Sequence, residues 1–261
     1  MEYTIGNGVL TLTAGETGGL LRAVTKPGGQ ELLWGGDPAI WGGRAPVCFP
    51  WCGNIQDGWY EEDGVRHEAP TRHGFVRDFP HKLVGQGNDI LTFRFRHDGS
   101  EPWPWPFTFE TIHALEGKRV YTTCTARNRG ETPMPVQMGF HPAFRVPFVP
   151  GTDVEGYVFH FQSGKEIGLK RDLFDNDSFP VDNTGAWCRL EHKASGKYIQ
   201  VTTAGFYTTL LWSKPGVPGF VCIEPWDGFT GESHDLAQRP GATLLQPGKS
   251  RTWQLEMDFE V

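Results

Sequence analysis

The sequence of 261 residues predicts an all-β protein, a large antiparallel β-sandwich, on three observations. Apolar residues recur at every second position in the longest stretches free of Gly and Pro, the period of a half-buried strand. Turn-forming dipeptides separate those stretches at short intervals. No stretch repeats apolar residues at three-to-four spacing over ten or more positions, as an amphipathic helix would.

Along the chain, Leu91, Phe93 and Phe95 alternate with Thr92, Arg94 and Arg96. Residues 118–129, rich in Val, Tyr and Thr, read as a strand, and Tyr157, Phe159 and Phe161 alternate with Val158, His160 and Gln162. In residues 249–261, Trp253, Leu255, Met257, Phe259 and Val261 share one face, opposite Gln254, Glu256, Asp258 and Glu260. These are antiparallel strands with one face buried. Pro27-Gly28-Gly29, Asp63-Gly64, Asp98-Gly99, Asn128-Arg129-Gly130, Pro150-Gly151, Ser195-Gly196, Pro215-Gly216 and Pro247-Gly248 mark turns between strands. Residues 163–185 have the weakest alternation and are expected to form a long excursion or a short helical turn. With no repeat and no linker, one β-sandwich domain over residues 1–261 is expected, a size at which such domains commonly stay undivided.

The 34 Gly and 20 Pro make about a fifth of the chain, below the roughly 25–30% of a low-complexity sequence. The net charge of −7 comes without a Lys/Arg cluster, so no phosphate-tracking surface for nucleic acid is expected. No run approaches the roughly 18 apolar residues of a membrane helix, and residues 1–15 lack the charged start and apolar core of a signal peptide. Five cysteines, Cys48, Cys52, Cys124, Cys188 and Cys222, are odd in number and sparse. They read as buried free thiols in a reducing cytoplasm.

Four segments concentrate polar groups among aromatics, Gly and Pro: residues 41–54, 71–78, 139–144 and 222–228. His73 and His141 adjoin Gly and Pro, where the chain turns and an imidazole is aimed into a cleft. Glu224 sits in Val-Cys-Ile-Glu-Pro-Trp, an apolar setting in which an unpaired carboxylate is costly. It serves chemistry there or meets an arginine such as Arg77 or Arg44. Two imidazoles and a partly desolvated carboxylate suit acid–base chemistry near neutral pH. The same trio can ligate a metal, but no His-x-His or His-x-x-x-His pair accompanies it, and a metal site is not expected. Trp34, Trp41, Trp51, Trp59, Trp103, Trp105, Trp212 and Trp226 offer flat faces for sugar rings or else fill a wide core.

The chain resembles the aldose 1-epimerase (mutarotase) family, most closely its LacX-like branch. The resemblance covers nearly the whole length. It rests on Trp-Gly-Gly-Arg-Ala-Pro-Val-Cys-Phe-Pro at 41–50, His-Gly-Phe-Val-Arg-Asp at 73–78, Gly-Phe-His-Pro-Ala-Phe at 139–144 and Cys-Ile-Glu-Pro-Trp at 222–226, in the family's order. It implies a galactose mutarotase-like β-supersandwich, no metal or organic cofactor, and a small-molecule sugar as the partner. Motif by motif, it implies that Glu224 is the base taking the C1 hydroxyl proton and His141 the acid protonating the ring oxygen. His73 and Arg77 would hold the sugar, with Arg44, Asn54, Arg72 and Trp51 as further substrate-binding candidates.

Two positions depart from the pattern: Arg72 replaces a common amide or small residue, and Asn54 replaces a usual arginine. An extra arginine at the cleft can pair with a phosphate or carboxylate on the sugar, so a hexose 6-phosphate is the alternative substrate. The acidic group that steadies the sugar between the third and fourth motifs matches no motif here, although Asp172, Asp175 and Asp177 fall in that interval. A non-catalytic carbohydrate-binding or regulatory module would need no matched acid and base. A glycoside hydrolase would need a second carboxylate, for which Asp227 is the nearest candidate.

Overall fold

The computed structural model describes residues 1–182, 184–216 and 219–261. It is built of antiparallel sheet, and among the described residues the helical elements are single 3₁₀ turns. The largest sheet has nine strands in the order Glu166–Gly168, Tyr157–Phe161, Trp187–His192, Tyr198–Thr202, Ser250–Glu260, Arg119–Asn128, Phe107–Glu116, Ile90–His97 and Lys82–Gln86. The alternation read from sequence is realised in it. Leu91, Phe93 and Phe95 face inward while Arg94 and Arg96 face solvent, and Trp253, Leu255, Met257 and Phe259 are buried on one side of the long last strand.

A second sheet of six strands packs against it. Phe179–Val181, Thr208–Trp212, Phe220–Trp226, Gly139–Phe140 and Val47–Cys48 follow in order, with Ala143–Arg145 also paired to Phe220–Trp226. The layers meet through rings: Phe49 lies 4.7 Å from Phe109, and Phe144 6.2 Å from Phe259. Such aromatic pairs dominate the energetics of a core this wide. Glu2–Gly6, Thr11–Gly15 and Leu20–Thr25 form a three-stranded sheet at the side, and the hairpin Trp59–Glu62/Val65–Glu68 and the pair Met134–Val136/Thr243–Leu245 complete the set.

The strand Phe220–Trp226 is buried on both faces, which is why its sequence lacks alternation. Val221 and Ile223 enter the main core, whereas Phe220, Cys222 and Trp226 belong to separate apolar clusters on the opposite face. Glu224 shares that second face, which becomes the floor of a cavity. The excursion at 163–185 holds two short strands, Glu166–Gly168 and Phe179–Val181, separated by turns. All five cysteines are free and buried, as expected from their number and spacing. Among the described residues no helix is long and apolar enough to cross a membrane.

Candidate active site

A cavity of about 370 Å³ opens over the face of the six-stranded sheet turned away from the main core, within the size range of small-ligand sites. Leu210, Trp212, Glu224 and Trp226 line it from two neighbouring strands, in which Leu210 and Glu224 are directly opposed. The loops add Trp41, Asn54, Arg72, His73, Arg77, His141, Asp177 and Lys214.

His141 follows the short strand Gly139–Phe140, and its amide donates to the Pro46 carbonyl at 3.0 Å. That strand lies between Phe220–Trp226 and Val47–Cys48, with Gly139 opposite both Trp226 and Cys48. A Cβ on Gly139 would fall 2.6 Å from Cδ1 of Trp226, so glycine is what lets the indole lie against the backbone here. The result places Nε2 of His141 3.3 Å from Oε2 of Glu224. The imidazole is framed by Trp41, stacked at 5.2 Å and 26°, and by Trp212, edge-on at 5.6 Å.

Both members of the pair are buried, His141 7% and Glu224 2% exposed. Desolvation disfavours the charged form of each. Burial holds the His141 imidazolium well below its usual range, and the nearby His73 and Arg77 add to the effect. Burial pushes the Glu224 carboxyl well above its usual range, reinforced by Cys48 and Asp177 and opposed by Arg72. Each shift favours the neutral form at rest and sharpens the charged one: a Glu224 carboxylate is a stronger proton acceptor than usual, and a His141 imidazolium a readier donor. The groups are near enough to titrate as one unit.

His73 sits in the left-handed region at φ 69°. Its amide donates to the Gly53 carbonyl at 2.8 Å, and the Gly53 amide donates to its Nδ1 at 3.1 Å. With Nδ1 accepting, the neutral ring carries its proton on Nε2. Gly74 follows at φ 70°, and a Cβ there would fall 2.0 Å from the Phe49 carbonyl oxygen. The His-Gly pair in the second motif is therefore a backbone requirement as much as a chemical one.

The arginines divide. Arg72 Nε donates to Asn54 Oδ1 at 3.2 Å, and Arg77 Nη2 donates to the Arg72 carbonyl at 2.8 Å, so Asn54, Arg72 and Arg77 form one connected wall of the cavity. Arg44 does not line the cavity; its Nη1 donates to the Arg22 carbonyl at 2.8 Å, which ties its loop to the strand Leu20–Thr25. Trp51 also lies outside. It is 1% exposed, packs on Trp103 and Phe75, and donates from Nε1 to the Thr71 carbonyl. Glu224 has the His141 imidazole beside it instead of Arg77 or Arg44. Asp227 is bound to Trp253 Nε1 and Arg251, both at 2.6 Å, and does not line the cavity.

The sequence leaves Asp177 as one of three acids in its interval and Trp41, Trp212 and Trp226 among eight tryptophans, and it gives no sign of Lys214. Asp177 enters the cavity from a left-handed turn at φ 79°, and the Asn-Asp-Ser run around it is the one local cue. Trp41, Trp212 and Trp226 supply the indole faces that Trp51 does not. Arg239, 3% exposed, donates to the carbonyls of Cys52 and Asn54 and to Gln137 Oε1. It braces the loop that carries Gly53, and nothing local in the sequence marks it.

The aldose 1-epimerase family model matches residues 1–186. The plasmid-encoded LacX protein of Lactococcus lactis subsp. lactis is 27% identical over 285 residues, covering 95% of each chain. Among solved structures, a galactose mutarotase related enzyme from Lactobacillus acidophilus superposes with a TM-score of 0.95 at 23% identity, over 100% of this chain and 98% of that one. A galactose mutarotase-like protein from Lactobacillus casei follows at 0.88 and 22%, over 99% of each. With two-thirds of its length matched by the family model and its whole length by the fold, this chain belongs to the aldose 1-epimerase family.

Proposed function

We propose that residues 1–261 form one catalytic domain that interconverts the α and β anomers of a hexose, with no cofactor. The observation that carries this reading is the 3.3 Å approach of His141 Nε2 and Glu224 Oε2 beneath the cavity. The reacting carbon of an aldopyranose bears two oxygens, the C1 hydroxyl and the ring oxygen. An adjacent acid and base match that pair.

In the proposed cycle, Glu224 takes the hydroxyl proton while His141 gives a proton to the ring oxygen, and the C1–O5 bond breaks. The open aldehyde turns about C1–C2. Reclosure on the other face returns both protons, so the site ends as it began and the sugar is neither oxidised nor reduced. His73, with its proton on Nε2, and Arg77 hold sugar oxygens, and Asp177 accepts from a hydroxyl. Trp41, Trp212 and Trp226 take the apolar ring faces. A positioned acid and base each contribute roughly 10²–10⁴-fold, ample for a reaction that already runs slowly in water. The five free thiols suit a reducing, cytoplasmic setting.

Polarimetry of freshly dissolved α-D-glucose and α-D-galactose tests the reading. Protein is expected to speed the decay of rotation, and decay at the spontaneous rate on both sugars overturns it for free hexoses. One observation favours a second substrate. Arg72, Arg77 and Lys214 line the cavity of a chain whose net charge is −7, so a hexose 6-phosphate fits as well. Anomer exchange on α-D-glucose 6-phosphate without exchange on free glucose would select it. A non-catalytic sugar-binding role predicts binding with no acceleration on any of the three.

A further inference from the structure

We propose that His141, Glu224 and Cys222 form a binding site for a thiophilic divalent cation of the Zn²⁺ class, and that the bound ion silences the acid–base pair. The inhibitory half rests on the function proposed above; the binding half does not.

Cys222 and Glu224 are two residues apart on one face of the strand Phe220–Trp226, and His141 reaches the same point from the end of a neighbouring strand. One ligand atom from each of the three lies within 4.8 Å of the others, and all three residues are buried. Tetrahedral zinc holds its ligands at about 2.0–2.3 Å, which separates them by roughly 3.3–3.7 Å. Side-chain rotations that close the set by about 1 Å suffice, and the His141–Glu224 edge is already at 3.3 Å.

A second observation concerns the same carboxylate. Oε1 of Glu224 is buried without a hydrogen-bond partner. Buried polar atoms in native proteins are nearly always partnered, and a cation beside the pair gives the carboxylate a counter-charge that burial otherwise denies it. Cys222 itself has no part in anomer chemistry and packs with Trp34, Ala143 and Phe220.

The donor types select the ion. Sulfur, nitrogen and one carboxylate oxygen suit Zn²⁺ and Co²⁺, whereas Mg²⁺ and Ca²⁺ require oxygen sets. Binding releases the thiol proton to solvent, so affinity rises with pH. No bond to carbon forms and no electron moves. The ion occupies the ring nitrogen and carboxylate oxygen through which His141 and Glu224 would exchange protons with the sugar, so it acts as an inhibitor and competes with substrate.

The test titrates chelator-treated protein with Co²⁺ and then Zn²⁺. Wild type is expected to develop a thiolate-to-cobalt charge-transfer band in the near ultraviolet at one equivalent, abolished by Zn²⁺ and absent with Mg²⁺. Cys222→Ala, a small apolar replacement in an apolar cluster, should lose the band and bind Zn²⁺ at least about 100-fold more weakly, beyond the 10–100-fold that loss of a mere supporting contact costs. Its mutarotation in chelator should match wild type and should resist Zn²⁺. Glu224→Gln provides a second loss of affinity if Cys222→Ala does not fold. A wild type without the band, or a Cys222→Ala that keeps it, overturns the proposal. A band that disappears in Cys222→Ala, in a protein that accelerates no sugar, upholds the metal site and overturns the proposed function.

Discussion

The Gly53 amide donates to Nδ1 of His73 across 3.1 Å, while the His73 amide donates to the Gly53 carbonyl at 2.8 Å. This two-way clamp fixes the ring and its tautomer. His73 therefore offers a preset donor, and binding spends little free energy on orienting it. His73→Ala should raise KM about 2–10-fold, the worth of one neutral hydrogen bond, and lower kcat less. Steady-state polarimetry at several sugar concentrations separates the two; a collapse of kcat with KM unchanged would move His73 into the chemistry itself.

Removal of the acid or the base should act on kcat. Glu224→Gln keeps the size and planarity of the side chain, His141→Asn keeps a planar polar group, and each should cost roughly 10²–10⁴-fold. Because the two groups work as one unit, the double variant should be little worse than either single one. Wild-type rates in both single variants would refute the assignment.

Gly74→Ala tests the backbone of the second motif. Its added Cβ would meet the Phe49 carbonyl oxygen at 2.0 Å, in a residue with φ of 70°. The left-handed conformation alone costs an L-residue about 1–2 kcal/mol, and the clash adds to it. Urea unfolding should show a loss of more than about 2 kcal/mol, along with activity lost through the displaced His73.

Acid should destabilise the fold through two buried histidines that do not line the candidate active-site cavity. Burial pushes His81 and His113 down to about 4, and each ring donates from Nε2 to a carbonyl, of Val76 and Gly19 respectively. Between the unfolded value of about 6.5 and 4, the unfolded chain binds protons that the folded one does not. Stability therefore falls as pH drops through that window and stops falling below it on their account, by an order of about 3 kcal/mol for each. Melting curves from pH 7 to pH 4 should show the slope, and His113→Gln should flatten it.

Arg72 is the residue through which charge on the substrate would be read. Arg72→Gln should raise KM for a hexose 6-phosphate about 10–100-fold, the range of a charge-assisted hydrogen bond, and leave a free hexose within about twofold. Equal effects on both sugars would limit Arg72 to holding Asn54 in place.

The sequence was most legible where one residue's surroundings depend on its near neighbours. Alternation over Ile90–His97 and Ser250–Glu260 is set by the pleat, so the buried faces could be named from the order of residues. Phe220–Trp226 offered no alternation because both its faces are covered, yet that same apolar run marked Glu224 as a costly carboxylate. Trp41 and Trp51 stand ten positions apart in the segment 41–54 and have opposite fates, one beside His141 and one in the core with Trp103. No local pattern distinguishes them, since each indole goes where strands distant in sequence leave room.

By itself, then, the chain order determined the all-β class, the buried free thiols and the four segments that meet at the cavity, because strand periodicity, turn chemistry and motif composition are local properties. Only the tertiary structure decided that His141 and Glu224, 83 positions apart in sequence, approach to 3.3 Å, that Asp177 and Lys214 join the wall, and that Arg44 and Trp51 do not. Those outcomes depend on strand pairing across the six-stranded sheet. Register brings together side chains whose separation along the chain carries no information about their distance in space.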